Sequence, residues 1–312
     1  MWLEEEPILG MHAISGKLNG HLLPIVPVGV RTEDNTVQDI DLLLDTGFNG
    51  DICLQAALLD HYCLATQPDR KLFTLQAALT TYSSLSPDAP YKSEVLWKGY
   101  PRQASVRLMQ GGSFCGMLGT DLLLYHRVTI DVVEGGMVSV EESYGTFARR
   151  RSRWSLRGRK RPGPSMENFG EYQKWLDLKV PWINLPVQGR DGSWHTAWVN
   201  VDTGNNGYLT LPASWTTILG ITATAESTEE TSNGIESVGL GTANIKWEGK
   251  ERTVGCRLKE GTPPLIGMKL LEGSRITMDF SDPRPEVEIG GIPRSARIKK
   301  GHFDSVAGLF RL

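Results

Sequence analysis

Apolar and polar residues alternate along several short runs of this chain, and a period of two predicts strands. Leu22 to Val30 and Val37 to Asp45 read this way, separated by a polar turn at Thr32-Glu33-Asp34-Asn35. Met11-His12-Ala13-Ile14 reads as an earlier strand, broken at Gly16. Further on, Val180 to Val187 and His195 to Asp202 are strands joined by the hairpin turn Gly189-Arg190-Asp191-Gly192. The pattern predicts an all-β protein.

Two of these strands end on the same tripeptide. Asp45-Thr46-Gly47 follows Leu42-Leu43-Leu44, and Asp202-Thr203-Gly204 follows Val199-Asn200-Val201. Each copy runs on into a polar Asn-Gly turn, Phe48-Asn49-Gly50 and Asn205-Asn206-Gly207. A chain that supplies one Asp from each half can build a facing carboxylate pair alone.

The duplication extends well past the turns. Trp97-Lys98-Gly99, Arg102, Arg107-Leu108 and Gly111 recur at the same intervals as Trp247-Glu248-Gly249, Arg252, Arg257-Leu258 and Gly261. Gly116-Met117-Leu118-Gly119-Thr120-Asp121-Leu122-Leu123 matches Pro264-Leu265-Ile266-Gly267-Met268-Lys269-Leu270-Leu271. Arg127-Val128-Thr129-Ile130-Asp131 matches Arg275-Ile276-Thr277-Met278-Asp279, and Met137 to Val140 matches Glu286 to Ile289. The chain is a tandem repeat.

Each half resembles a retropepsin-like aspartic protease domain, the fold of retroviral proteases and their bacterial relatives. The family pattern is an apolar run and Asp-Thr-Gly, then a late apolar-apolar-Gly leading into a short Leu-Leu helix. Leu43-Leu44-Asp45-Thr46-Gly47 with Met117-Leu118-Gly119 follows it, as does Val201-Asp202-Thr203-Gly204 with Leu265-Ile266-Gly267. The sequence departs from the pattern where Asn200 interrupts the second apolar run. It departs again where Phe48 and Asn205 replace the small residue usual after Asp-Thr-Gly. The resemblance implies two β-barrel domains in a pepsin-like pseudo-twofold dimer, each with one short helix. The domains are expected at 1–145 and 171–312.

What the resemblance implies chemically is an aspartic endopeptidase. A water would be activated between Asp45 and Asp202, with no cofactor and no metal. Two carboxylates this close share one proton and titrate as a unit. Thr46 and Thr203 would tie the two loops together through hydroxyl-to-backbone bonds, and Gly47 and Gly204 would let backbone approach the carboxylates. A glycine-bearing hairpin should cover a peptide substrate. The second half offers Ser232-Asn233-Gly234 through Gly239-Leu240-Gly241. The first half offers Thr80 to Ser84 and Pro87 to Pro90, with Tyr82 but no glycine. Two other arrangements fit the same residues: a peptide-binding module that keeps the cleft without cutting, and a protease assembled by pairing like halves of two chains.

Asp131 and Asp279 are expected to be structural turn or cap acids after a strand. The four cysteines, Cys53, Cys63, Cys115 and Cys256, lack metal-ligand spacing and are read as packing residues. No His pair has zinc spacing, and no serine sits in a Gly-x-Ser-x-Gly elbow. Hydrophobic content of 40% and charged content of 22% are ordinary for a globular chain. No long apolar run suggests a membrane span, and the acidic N-terminus is no signal peptide, so the expected location is the cytoplasm. Arg149 to Arg161 hold eight of the 33 basic residues and no acid; the other 25 face 36 acids, leaving the remainder near −11. Residues 146–170 are read as a flexible basic linker, a tether rather than a nucleic-acid contact. The tail after Arg294 is basic and then apolar. The chain is expected to act as a monomer, its own pseudodimer, on peptide or protein substrates.

Overall fold

The computed structural model describes residues 13–55, 58, 91–98, 100–109, 114–143, 179–231, 234–282 and 285–293. Tyr82 and the rest of the first-half flap segment, Cys63, the basic linker and the C-terminal tail lie outside these residues.

Alternation of apolar and polar positions produces strands through most of the described residues. The first half contributes β1 (Ile14–Leu18), β2 (Pro24–Arg31), β3 (Val37–Leu44), β4 (Ile52–Gln55), β5 (Tyr91–Trp97), β6 (Tyr100–Met109), β7 (Gly116–Leu118), β8 (His126–Asp131) and β9 (Met137–Glu142). The second contributes β10 (Trp182–Gln188), β11 (Trp194–Val201), β12 (Leu209–Pro212), β13 (Ala225–Thr231), β14 (Gly234–Trp247), β15 (Lys250–Lys259), β16 (Leu265–Ile266), β17 (Ser274–Asp279) and β18 (Glu286–Gly291). Two one-turn helices, α1 (Thr216–Leu219) and α2 (Met268–Leu271), and the 3-10 turn Ala213–Trp215 that leads into α1 complete the described part of the second half.

The repeat in sequence is a repeat in topology. Strands β2-β3-β7-β4-β6-β5 follow one another and close through pairing of β5 with β2. Strands β10-β11-β16-β12-β15-β14 do the same, closing through Val187 and Ile245. Each half is therefore a small β-barrel, filled by apolar side chains such as Val28, Leu42, Ile52 and Leu108 in one and Ile183, Val199, Leu211 and Ile245 in the other. In each, β3 or β11 and the next strand are held apart by β7 or β16, which is threaded between them. The Asp-Thr-Gly loop must cross over that central strand.

The halves are joined by a second device. β8 and β17 pair antiparallel with Thr129 opposite Thr277, residues that match in the repeat. The pseudo-twofold axis passes through this pair. Because Arg precedes Asp by four positions in both copies, the register places each Arg opposite the other half's Asp. Arg275 makes a bidentate pair with Asp131, Nε to Oδ1 at 2.6 Å and Nη2 to Oδ2 at 2.8 Å. Arg127 Nη2 lies 3.1 Å from Asp279 Oδ2. Asp131 and Asp279 are thus partners across the interface rather than only turn acids, although Asp279 does accept the Ser281 N–H at 3.0 Å. Burial raises the Asp279 carboxyl, but hydrogen bonds from Ser143, Ser281 and Arg127 outweigh it and hold the group below its ordinary range.

Three further expectations need correction. Gly16 does not break a strand; it sits inside β1, where a Cβ would come within 2.2 Å of the Ile25 carbonyl oxygen. The first half lacks a counterpart of α2 among the described residues. There the Leu122-Leu123 stretch forms turns closed by i→i+3 bonds from Leu123 to Thr120 and from His126 to Leu123, ending at Tyr125 with φ of 65°. Cys115 is exposed, and its carbonyl rather than its thiol is used, accepting the Gln55 N–H. Cys53 and Cys256 are buried, and burial pushes their thiols up to about 12 and about 11. No helix among the described residues is long and apolar enough to cross a membrane.

Candidate active site

Strands β3 and β11 each end one residue before an aspartate and deliver it to the pseudo-twofold axis. The loops are pinned to the threaded strands: Asp45 N–H donates to Leu118 O at 2.9 Å, and Asp202 N–H to Ile266 O at 3.0 Å. The two carboxyl groups lie within hydrogen-bonding reach of each other. Asp45 is 2% exposed and Asp202 8%.

The threonines interlock the loops. Thr46 Oγ1 donates to Val201 O at 2.5 Å and accepts the Thr203 N–H at 3.1 Å. Thr203 Oγ1 returns both bonds, to Leu44 O at 2.6 Å and from the Thr46 N–H at 3.1 Å. All four partners are buried, so water offers them no substitute.

The glycines serve proximity. A Cβ on Gly204 would lie 2.5 Å from the Asp45 carboxyl carbon, and one on Gly47 would lie 2.7 Å from that of Asp202. Each glycine N–H also donates to the aspartate of its own loop, at 2.8 Å for Asp45 and 3.0 Å for Asp202. The pair is therefore cradled symmetrically by backbone dipoles.

Burial pushes both carboxyls above their ordinary range. For Asp202 the neighbouring charge of Asp45 pushes further in the same direction, while N–H groups of Gly204 and Asn205 oppose it. Two carboxyls so placed share one proton over part of their titration and ionise as a pair. No group of three or more metal-ligating side chains occurs among the described residues.

Around the pair the halves differ. Phe48 is buried, its ring over Gly50 and Gly119, where a Cβ would come within 2.7 and 2.5 Å of it. It fills the barrel rather than lining a cleft. Asn205 instead uses its side chain to accept the Gly207 N–H at 2.6 Å. Of the glycines expected in a covering hairpin, Gly234 begins β14 opposite Thr231, next to the hairpin tip. Gly239 and Gly241 lie at its root. A Cβ on Gly241 would meet the Thr222 carbonyl oxygen at 2.9 Å, so that glycine is needed for packing.

Sequence reasoning passed over the consequence of Asn200. Its side chain is fully buried, and neither its Nδ2 nor its Oδ1 has a partner among the described residues. The matching position holds Leu43. Since a buried amide left unbonded costs about 1–3 kcal/mol, Asn200→Leu is expected to stabilise the fold by that order. Urea unfolding would read it; an unchanged or lowered midpoint would show that the amide is satisfied, for instance by a buried water.

No family model matches this sequence, and no curated protein matches it. Among solved structures, the aspartic proteinase from Irpex lacteus is similar over 89% of this chain and 97% of its own, with a TM-score of 0.46 and 13% identity.

Proposed function

We propose that this chain is an aspartic endopeptidase that cuts peptide bonds with a water held between Asp45 and Asp202. One observation carries the reading: two buried carboxyls face each other across the pseudo-twofold axis, each under a glycine that leaves room for the other. A purely structural role gives no reason to bury two acids together, because the second charge is expensive there.

The chemistry follows from the shared proton. The ionised aspartate takes a proton from the water as its oxygen attacks the scissile carbonyl carbon. The protonated aspartate gives its proton to the carbonyl oxygen, so a neutral tetrahedral diol forms rather than an oxyanion. Collapse reforms the carbonyl, breaks the C–N bond and moves a proton to the leaving nitrogen. The pair returns to its one-proton state without a covalent intermediate. The glycine N–H groups of both loops hold the carboxyls in place, so little reorganisation accompanies the proton transfers.

The hairpin of β13 and β14 is the covering element in this reading, and one chain supplies both carboxyls. The threonine interlock within a single chain supports that over pairing of like halves. The test is digestion of a diverse peptide pool from pH 3 to 7, read by mass spectrometry, beside Asp45→Asn and Asp202→Asn proteins. Cuts made by the parent and lost in both variants are expected. Loss in only one variant would point to like-half pairing, and no cuts by folded parent protein at any pH would overturn the reading in favour of a binding cleft.

A further inference from the structure

An arginine marks the difference between the two loops. Arg107 and Arg257 hold matching places on β6 and β15, opposite Cys53 and Thr210. The Arg107 guanidinium lies 5.6 Å from the centroid of the Phe48 ring, and its Nη1 has no hydrogen-bond partner among the described residues. Arg257 is placed quite differently. Its Nη1 donates to Asn205 Oδ1 at 3.1 Å, and its Nε pairs with the carboxylate of Glu229. The approach leaves no room at Gly207, where a Cβ would lie 2.7 Å from Nη1.

Both ends of this contact are informative. Asn205 is the residue after Asp202-Thr203-Gly204. Its N–H reaches back to Asp202, 3.3 Å from the main-chain oxygen and bonded to the carboxyl as well. Its side-chain oxygen is held by two donors, Arg257 and the Gly207 N–H, so the loop cannot rotate freely. Glu229, at the other end, belongs to β13, whose only partner strand among the described residues is β14. The β14–β15 ladder begins at Gly239 opposite Leu258, so the hairpin from Val238 to its tip stands beyond it. Glu229 and Arg257 are each about three-quarters buried, at 25% and 27% exposed, and are shielded from the screening that makes open surface pairs weak.

We propose that Arg257 is a positioning residue that couples the β13–β14 hairpin to Asp202, through Glu229 on one side and Asn205 on the other. The inference rests on reading Asp202 as half of the catalytic pair. With the hairpin down, Glu229 fixes the guanidinium, the guanidinium fixes the Asn205 amide, and the Asn205 N–H stays on Asp202. With the hairpin lifted, the guanidinium loses its anchor and the loop relaxes. Among the described residues only the second half has this path, since Phe48 offers Arg107 a ring face and no side-chain acceptor. A covering element on one side would thus prepare one aspartate, not both.

The sign of a titration tests it. Besides Asp45, the charged groups beside this path are Lys259, paired with Glu236 on β14, and Lys269, whose Nζ lies 5.7 Å from the Tyr208 ring centroid. Full-length Glu229→Gln, Arg257→Met and the double variant would be compared with the parent by carboxyl-carbon NMR of the aspartates, which needs no turnover. Through-space charge alone makes Glu229→Gln lower the apparent pKa of the pair, because an anion has been removed. Loss of the Asn205 N–H raises it. The expected result is a rise in Glu229→Gln, a rise in Arg257→Met, and a double variant no further shifted than the larger single one. A fall or no change in Glu229→Gln overturns the coupling, as does an equal rise in Glu236→Gln, which removes the anion opposite Glu229 on the same hairpin and would rise only through general loosening of the hairpin. Turnover is a separate readout: inactivity of the parent counts against the protease reading and leaves the titration result standing. With an active parent, kcat in Glu229→Gln should fall by roughly tenfold to a hundredfold, with a smaller change in KM.

Discussion

Asp202→Asn is expected to abolish peptide cleavage while making the folded protein more stable at neutral pH. The two effects have one origin. Both carboxyls are buried and face each other, so the folded state binds their protons more tightly than the unfolded chain, where an aspartate has its ordinary value of 3.8. Stability from a group whose folded-state pKa is raised is fully present below the unfolded value. It is lost as the pH climbs through the folded one. At pH 7 the pair therefore costs stability, and at pH 3 it does not. Asparagine keeps an oxygen for the Gly204 N–H and an N–H for Asp45, and it removes the second charge altogether. The melting temperature of Asp202→Asn should exceed that of the parent by several degrees at pH 7, with the gap closing as the pH falls toward 3. Turnover should drop by at least about 10²–10⁴, the usual contribution of a positioned acid or base. A melting temperature that falls at pH 7, or a gap that ignores pH, would mean that the carboxyls are not held together as described.

Thr46→Val should be among the most damaging single changes to stability. It keeps the shape and deletes the hydroxyl, which leaves the Val201 carbonyl and the Thr203 N–H without partners in the interior. At about 1–3 kcal/mol for each orphaned group, the cost is about 2–6 kcal/mol. That is a large part of the roughly 5–15 kcal/mol that holds a typical protein folded. Thr46→Ser keeps the hydroxyl and should lose about 1 kcal/mol, the worth of one buried methyl. Urea midpoints of the two variants would separate the hydroxyl from the methyl. Equal losses in the two would show that the interlock contributes nothing beyond packing.

The strands and the repeat were legible because both are written locally. Alternation sets a strand, and Asp-Thr-Gly after an apolar run marks where it ends, so β3 and β11 could be placed within a residue or so. The reciprocal threonine bonds follow from symmetry once two copies are granted. Asp131 and Asp279 were harder, because each ion pair joins residues from opposite halves. The signal existed: a strand that pairs with its own copy about a twofold axis through Thr129 and Thr277 must bring Arg127 to Asp279 and Arg275 to Asp131. Phe48 and Asn205 could be seen as departures from a pattern, but not that one ring would fill a barrel while one amide would bind an arginine. That depends on what stands opposite on β6 and β15, and both strands carry the same residue there. Gly16 was misread because a glycine required by a close neighbouring strand looks, in sequence, like one that ends a strand.

Asn200 gives the duplication a further meaning. In a symmetric pair of identical chains, every residue is present twice, so an unfavourable side chain is paid for in duplicate. Here the buried amide occurs once, and Leu43 stands at the mirror position. Encoding the two halves separately lets selection test a costly residue on one side while the other keeps the stable choice. The same freedom separates Phe48 from Asn205 and Asp51 from Tyr208. The two loops are packed differently, so the two sides of the axis are not equivalent, and on the proposed reading a peptide and its reversed sequence would be distinguishable to this protein.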